Sequence, residues 1–132
     1  MDIPTLKLSA ERNRRRLIEI IYNAKAGHTG GDLSCLNILT VLYNHYLNID
    51  KSRLDDADRD RFVLSKGHCV EALYSVFEQI GFLEKSEVDT LGKYESPLAG
   101  HPLNDIPGVE VNSGALGHGL SFGLGMAIAA KM

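Results

Sequence analysis

The chain has 132 residues, of which 44% are hydrophobic and 23% charged, values typical of a globular domain and not of a disordered segment. A formal net charge of −3 gives no overall attraction to nucleic acid or to an anionic membrane. No run approaches the roughly 20 apolar residues of a membrane span, and the N-terminus lacks the apolar region of a signal peptide, so a cytoplasmic location is expected.

The first predicted helix lies close to the N-terminus. Ser9 can cap it, and apolar residues recur at helical spacing until about Ala26. Gly27 suits the left-handed conformation in which many helices end. The helix carries a basic cluster, interpreted as a solvated face and not as a nucleic-acid surface, that consists of Arg12, Arg14, Arg15 and Arg16.

A second helix is predicted after the glycine-bearing turn at residues 27–31. Asp32 or Ser34 can cap it, and it extends to about Leu47. Apolar residues lie on most of its sides, which is typical of a helix that other elements cover. Because so short a domain offers little cover, part of it is expected from a partner chain. The apolar residues concerned are Leu36, Ile38, Leu39, Val41 and Leu42.

The middle of the chain contains a candidate strand and two candidate helices. Residues 61–65 form a short apolar run typical of a buried strand. Residues 67–68 then open a third helix, which Gly81 ends. Ser86 can cap a short fourth helix that extends to Leu91.

The last third of the chain is punctuated by proline and glycine. Residues 94–108 are expected to be irregular, and residues 109–111 are a candidate second strand. Residues 114–125 are rich in glycine and lead into a last helix, which has no stop signal before Met132. The order of elements predicts an α/β fold, a parallel sheet flanked by helices.

Three histidines, His28, His68 and His101, each follow a glycine at a break between predicted elements. Ligands of open parallel sheets bind at such breaks, so the three together are predicted to share a crevice, although any one of them alone is better explained as an unrelated turn residue. The stretch 114–119 adds glycines whose backbone groups can face a ligand. Tight helix packing would explain that stretch as well.

Four segments, taken in order and spacing, resemble the N-terminal region of transketolases. They are residues 26–31 (AGHTGG), 60–68 (DRFVLSKGH), 100–102 (GHP) and 114–120 (GALGHGL). The TGG and SKG variants are more similar to transketolases split over two chains, whose N-terminal chain carries the diphosphate-binding domain. The resemblance implies that residues 1–132 are the N-terminal portion of such a thiamine-diphosphate-binding fold, cut before a Gly-Asp-Gly motif that binds metal and diphosphate.

The resemblance also implies residue roles. His68 resembles the histidine that contacts the diphosphate of thiamine diphosphate. His28 and His101 resemble the catalytic histidines that face the sugar hydroxyls and the reacting carbons. Imidazole suits proton transfer to sugar oxygens because its ordinary pKa, about 6.5, lies near neutral pH. The backbone that holds the cofactor's aminopyrimidine is expected at Gly114, Ala115 and Leu116.

Cofactors and partners follow from the same resemblance. Thiamine diphosphate is expected with Mg²⁺ or Ca²⁺, whose ligands should lie beyond residue 132, so no metal ligand is assigned here. A C-terminal subunit should supply the pyrimidine-binding domain, and a homologous chain should lie across a dimer interface, giving a heterotetramer. The implied reaction of pentose phosphate metabolism moves a two-carbon ketol unit between sugar phosphates, and the chain alone is expected to be inactive.

Two alternatives stay open. The first is another thiamine diphosphate enzyme, such as a deoxyxylulose-phosphate synthase, against which the matches at residues 64–68 and 100–102 argue. The second is a non-catalytic remnant that serves as an assembly surface and whose histidines are idle. A Gly-Asp-Gly motif encoded after residue 132 would favour the enzyme, and a stop codon the remnant.

Overall fold

The computed structural model describes residues 1–132, and its regular structure is helical. A π-helical stretch, Leu42–Tyr46, directly continues the second α-helix, and 3₁₀ turns cover Lys51–Arg53 and Gly67–Cys69. No helix combines the length and the apolar character that crossing a bilayer requires. The α-helices are α1 (Ile3–Ala24), α2 (Thr29–Val41), α3 (Val70–Gln79), α4 (Lys85–Val88) and α5 (His118–Ala129).

Helix α1 begins earlier than the sequence predicts. Asp2, not Ser9, is its cap, and the Asp2 carboxylate accepts a hydrogen bond of 3.0 Å from the backbone N–H of Thr5. The apolar periodicity misses the first turns because most of their residues are exposed. The helix ends before Lys25, which has a left-handed φ of 53°, and not at Gly27.

The other helix starts are set by different residues than predicted. His28, not Asp32, occupies the cap position of α2. Glu84, not Ser86, caps α4, through a reciprocal capping box with Glu87. Helix α3 agrees with the sequence, since the turn Gly67–Cys69 opens it and Gly81 follows its end with a φ of 82°.

Neither predicted strand is formed. Residues 61–64 and 109–110 have no regular secondary structure, and no backbone hydrogen bond joins the two segments. The hydroxyl of Ser113, just after the second segment, donates to the carbonyl of Leu64 at 2.7 Å. An extended segment becomes a strand only when a neighbour offers its own row of backbone donors and acceptors. Neither segment finds such a neighbour, so the structure does not show the predicted parallel sheet.

The core lies between α1, α2 and α3. Every residue of α3 from Val70 to Phe77 is buried, which makes α3 the central element. Tyr43 lies on the π-helical stretch that continues α2. Its ring centroid is 5.3 Å from that of Phe77, in an edge-to-face arrangement. Full burial of one such apolar side chain contributes roughly 1.5–3 kcal/mol. The core also includes Leu17, Ile20, Leu36, Leu39, Phe82, Leu83 and Val88.

Two mostly buried arginines form ion pairs that join loops and helices around this core. Arg16, predicted to lie on a solvated face, donates from Nε to Glu78 at 2.8 Å and from Nη2 to Asp89 at 2.6 Å, joining α1 to α3 and to the end of α4. Arg59 forms a bidentate pair with Glu110, both side chains being about nine-tenths buried. Since removal of one partner would leave a buried charge, both pairs hold the loops in place.

Two helical surfaces stay open. On α2, the neighbours α1 and α3 cover most sides, and the large apolar residues that remain strongly exposed are Ile38 and, on the π-helical stretch, Tyr46. On α5, Gly119 is the only buried residue, while Leu120 is 80% exposed and Leu124 62%. Of these two helices, α5 therefore has the larger open apolar surface. The sequence predicted instead that a partner chain would cover α2.

Candidate functional site

The imidazole rings of three histidines from separate segments lie close together, and the surface that these rings share is called the crevice. The ring centroids of His28 and His68 are 5.1 Å apart, and those of His28 and His101 are 6.2 Å apart. The rings of His28 and His101 are exposed and that of His68 is half-buried, so all three can meet a ligand. The sequence predicted this convergence from the junction positions; the roles of the three histidines remain predictions.

His28 is placed by a sharp turn between α1 and α2. Gly27 has a φ of 144°, which other residues rarely adopt, and a Cβ there would lie 2.8 Å from Ile21 Cγ1. The carbonyl of His28 accepts the first hydrogen bond of α2 from the N–H of Asp32, at 2.9 Å. Glycine at position 27 is thus what allows α2 to start with its histidine at the crevice.

His68 is placed by the meeting of two helix starts. It lies in the turn that opens α3 and rests on Gly31 in the first turn of α2, where a Cβ would be 3.2 Å from His68 Nε2. The ammonium group of Lys66 donates to the carbonyl of Gly31 at 2.8 Å and to the hydroxyl of Ser34 at 2.7 Å. These bonds hold the N-termini of α2 and α3 close together.

His101 is placed by a hydrogen bond from the core. The hydroxyl of Tyr74 on α3 donates to the carbonyl of Ala99 at 2.9 Å. Burial raises the pKa of Tyr74, so its hydroxyl keeps the proton that it donates. On the other side, a Cβ at Gly114 would lie 3.4 Å from the His101 ring, so the predicted cofactor-binding backbone adjoins this histidine.

The predicted cofactor-binding backbone is open to a ligand. Gly114, Ala115 and Leu116 are exposed, and their N–H groups make no hydrogen bond within the chain. Gly117 follows with a φ of 91° and turns the chain into α5. Exposed donors beside a histidine cluster suit a polar or anionic group, although what they bind is not tested by the structure.

Two buried carboxyl groups lie behind the crevice and were missed by sequence reasoning. Asp32, interpreted there only as a helix start, is 0% exposed, and its Oδ1 accepts a 3.0 Å bond from the N–H of Ala72 in the first turn of α3. Glu71 is 2% exposed. A charged residue three positions after His68, in an otherwise apolar helix start, was the available signal for it.

The residues present fit thiamine diphosphate in part. A histidine and free backbone N–H groups can contact an anionic and heteroaromatic cofactor. A diphosphate also calls for a divalent cation, which takes several oxygen ligands including carboxylates. No group of three or more His, Cys, Asp or Glu side chains is arranged to hold a metal ion. The residues present are therefore suited to one wall of a cofactor site, and they include no cluster suited to a cation.

The close approach of Gly67 to Ser113 gives a testable expectation. A Cβ at Gly67 would lie 2.8 Å from both the carbonyl and the hydroxyl oxygen of Ser113, so Gly67→Ala forces the two segments apart. We expect a loss of about 1–3 kcal/mol in the free energy of unfolding, measured by urea denaturation. Gly30→Ala is the matched control, because nothing lies within 4 Å of its added Cβ. Equal midpoints for the two variants would contradict the close approach.

Comparison with known proteins points to one family. Residues 6–132 match the family described as transketolase, thiamine diphosphate binding domain. The chain is 58% identical over 132 residues to one subunit of the apulose-4-phosphate transketolase of Phocaeicola vulgatus, covering all of this chain and 47% of that protein. It is 36% identical over 129 residues to the transketolase of Homo sapiens, covering 98% of this chain and 21% of that protein.

Comparison with solved structures points to the same family. The solved transketolase from Leishmania mexicana matches with a TM-score of 0.88 and 31% identity, over 94% of this chain and 19% of that one. The chain spans about half the length of the Phocaeicola vulgatus protein, of which it covers 47%.

Proposed function

Since the chain belongs to the transketolase family, we propose that it is the diphosphate-binding part of a two-chain enzyme that transfers a two-carbon ketol unit. Residues 6–132 match the thiamine diphosphate binding domain of that family. The observation that carries the proposal is the meeting of His28, His68 and His101 beside the free backbone of residues 114–116. An assembly surface without catalysis would have no need of this arrangement.

The proposed roles follow from position in the crevice. The bound cofactor supplies the electron sink for cleavage of the carbon–carbon bond. His68 would contact the diphosphate, and the backbone of residues 114–116 would hold the aminopyrimidine. The exposed rings of His28 and His101 would hold sugar hydroxyls in place and move protons on and off the sugar oxygens.

We propose a phosphorylated ketose as the donor. The Phocaeicola vulgatus relative, 58% identical, is named for apulose 4-phosphate, which is therefore the first donor to test. Lys66, a cationic side chain beside the crevice, already bonds to Gly31 and Ser34, so the sugar phosphate would be held by another chain. The relatives described above are named as transketolases, which favours ketol transfer over synthesis of deoxyxylulose phosphate.

We further propose that a second subunit completes the site. The Phocaeicola vulgatus relative is named as one subunit of its enzyme, which supports a partner, and the exposed apolar residues of α5 offer a surface for it. That partner would carry the pyrimidine-binding domain, and a homologous chain would complete a heterotetramer. The Mg²⁺ or Ca²⁺ ligands would come from outside residues 1–132, since these residues contain no cluster suited to a metal ion. A cytoplasmic location stays a prediction.

The test needs a completed enzyme, defined as this chain joined to the residues that follow its matched region in the Phocaeicola vulgatus protein, together with the partner subunit. We expect ketol transfer from apulose 4-phosphate to an aldose phosphate, followed by NMR of the products, and its loss in His68→Ala. His45→Ala is the matched control, since His45 is exposed and lies on the π-helical stretch away from the crevice. An inactive completed enzyme would support the non-catalytic remnant, whereas an active and unimpaired His68→Ala variant would contradict the role proposed for His68.

A further inference from the structure

The turn that carries His28 rests on two buried carboxyl groups. We propose that Asp32 and Glu71 are positioning residues, which together fix the orientation of His28 in the crevice. The meaning of that orientation for catalysis rests on the function proposed above, whereas the positioning itself is a property of this chain. Neither residue belongs to the histidine cluster or to the cofactor-binding backbone, and each reaches the turn from a different helix.

Asp32 joins His28 to the start of α3. Its backbone N–H donates to the carbonyl of His28, and its side chain accepts the N–H of Ala72, so one residue links the turn to two helix starts. Burial raises the pKa of Asp32, while the bond from Ala72 and the neighbouring His28 lower it. Two helix N-termini also favour a negative charge at this point. The hydrogen bond from Ala72 and the two helix N-termini thus favour the charged form of Asp32, against the larger effect of burial.

Glu71 supports the same turn from α3. A Cβ at Gly27 would lie 3.4 Å from Glu71 Oε1, so the carboxyl group lies against the residue just before His28. Its other oxygen, Oε2, is buried without a hydrogen-bond partner, as is Oδ2 of Asp32. Burial raises the pKa of Glu71 to about 7, and the charge of Asp32 acts in the same direction. Near neutral pH, Glu71 is thus partly protonated beside Asp32.

A small cavity lies between Glu71 and the segment that carries His101. The cavity has a volume of about 270 Å³, and its walls include Glu71, Ala26 and Gly100. Ala26 precedes the turn of His28, and Gly100 directly precedes His101. A change of charge on Glu71 therefore acts on a space that both histidine-bearing segments enclose.

The titratable groups around Glu71 come from every neighbouring element. Asp32 faces it from α2, His28 belongs to the turn that it supports, Tyr74 follows one turn later on α3, and Lys93 lines the cavity. No cation is among the groups that set the pKa of Glu71, since Lys93 is exposed and Lys66 acts on Asp32. Loss of the proton from Glu71 hence places a negative charge beside Asp32 with little compensation. Either the turn moves or water enters the cavity, and both outcomes loosen His28.

The sign of the pH dependence follows from the raised pKa. A carboxyl group whose pKa is higher in the folded than in the unfolded chain stabilises the fold fully below its unfolded pKa. That contribution is lost as pH rises from the ordinary glutamate value, about 4.3, through the folded value, about 7. The fixed position of His28 should accordingly be present in mildly acidic solution and decline between pH 6 and pH 8.

The first test is an NMR titration of the chain itself, without cofactor. We expect the Glu71 side-chain carbon to titrate near pH 7 and the backbone amide of His28 to shift with the same midpoint. In Glu71→Gln, which keeps the shape of the protonated form, that shift of the His28 amide should vanish. Glu95→Gln is the control, because Glu95 is exposed and makes no side-chain hydrogen bond in the structure. Should Glu71→Gln not fold, the wild-type titration still decides.

The second test separates positioning from a merely structural role. In the completed enzyme, the ratio of kcat for wild type to kcat for Glu71→Gln should fall about tenfold between pH 6 and pH 8, as the protonated share of a group with a pKa near 7 does. KM should change less than kcat, because orientation and not occupancy is lost. A Glu71 that titrates near its ordinary value, or a His28 amide indifferent to Glu71→Gln, would overturn the proposal. An inactive completed enzyme with the expected NMR titration would instead count against the proposed function alone.

Discussion

Replacement of His101 by alanine is expected to lower kcat of the completed enzyme by about 10²–10⁴-fold, the range that a general acid–base group supplies. The ring is exposed in the crevice, 6.2 Å from that of His28, and it is held from behind by the bond between Tyr74 and Ala99. Its removal takes away a proton-transfer and orienting group and leaves His68, the proposed diphosphate contact, in place. Affinity for thiamine diphosphate should therefore stay close to the wild-type value.

Steady-state kinetics combined with a cofactor titration distinguish these two effects. His45→Ala serves as control for the loss of an exposed histidine outside the crevice, and it should leave both kcat and cofactor affinity unchanged. Near-normal turnover of His101→Ala with much weaker cofactor binding would assign His101 to the cofactor and not to the sugar.

The isolated 132-residue chain is expected to bind thiamine diphosphate with a Kd weaker than about 1 mM, even with Mg²⁺ present, which corresponds to less than about 4 kcal/mol of binding free energy. A diphosphate is a dense anion, and no carboxylate cluster in this chain is arranged to hold a cation for it. What remains is His68, the free backbone of residues 114–116 and the helix N-termini, whose dipoles contribute roughly 0.3–2 kcal/mol each. Micromolar binding needs about 8 kcal/mol, which these groups do not supply.

Isothermal titration calorimetry measures this directly, with the chain extended as in the completed enzyme as the comparison. The extended subunit should gain at least about 10³-fold in affinity on passing from millimolar to micromolar binding. A micromolar Kd for the isolated chain would mean that its own residues replace the cation or bind it. Asp32 and Glu71, whose unpartnered oxygens are buried behind the crevice, would then be the first ligands to examine.

The sequence predicted the closeness of the three histidines better than the secondary structure around them. The glycine–histidine pairs at element breaks predicted that His28, His68 and His101 lie close together, and the positive φ of Gly27 allows the sharp turn that brings His28 there. The strands were not predictable in the same way, because the apolar run at residues 61–65 describes burial and not pairing. Whether such a run joins a sheet depends on neighbours that the run itself does not encode.

The buried carboxyl groups show another limit of sequence patterns. Asp32 follows a turn and suits a local cap, yet its side chain caps a helix that begins 38 positions later, at Val70. Local rules assign a polar side chain to its nearest backbone N–H, and they fail where tertiary packing brings a second helix start closer. Arg16 was misassigned for a related reason, since its ion-pair partners Glu78 and Asp89 belong to later elements.

The exposure of α5 has a consequence for the equilibrium between helix and coil. A helix of 12 residues is marginal in water without tertiary contacts, and the interior glycines Gly123 and Gly125 each cost about 1 kcal/mol relative to alanine. With Gly119 as its only buried residue, α5 gains little from the rest of the chain. Whatever covers Leu120 and Leu124 would shift this equilibrium toward helix. Covering α5 would also order residues 114–116 just before it, so docking and formation of the cofactor-binding backbone would be one cooperative event.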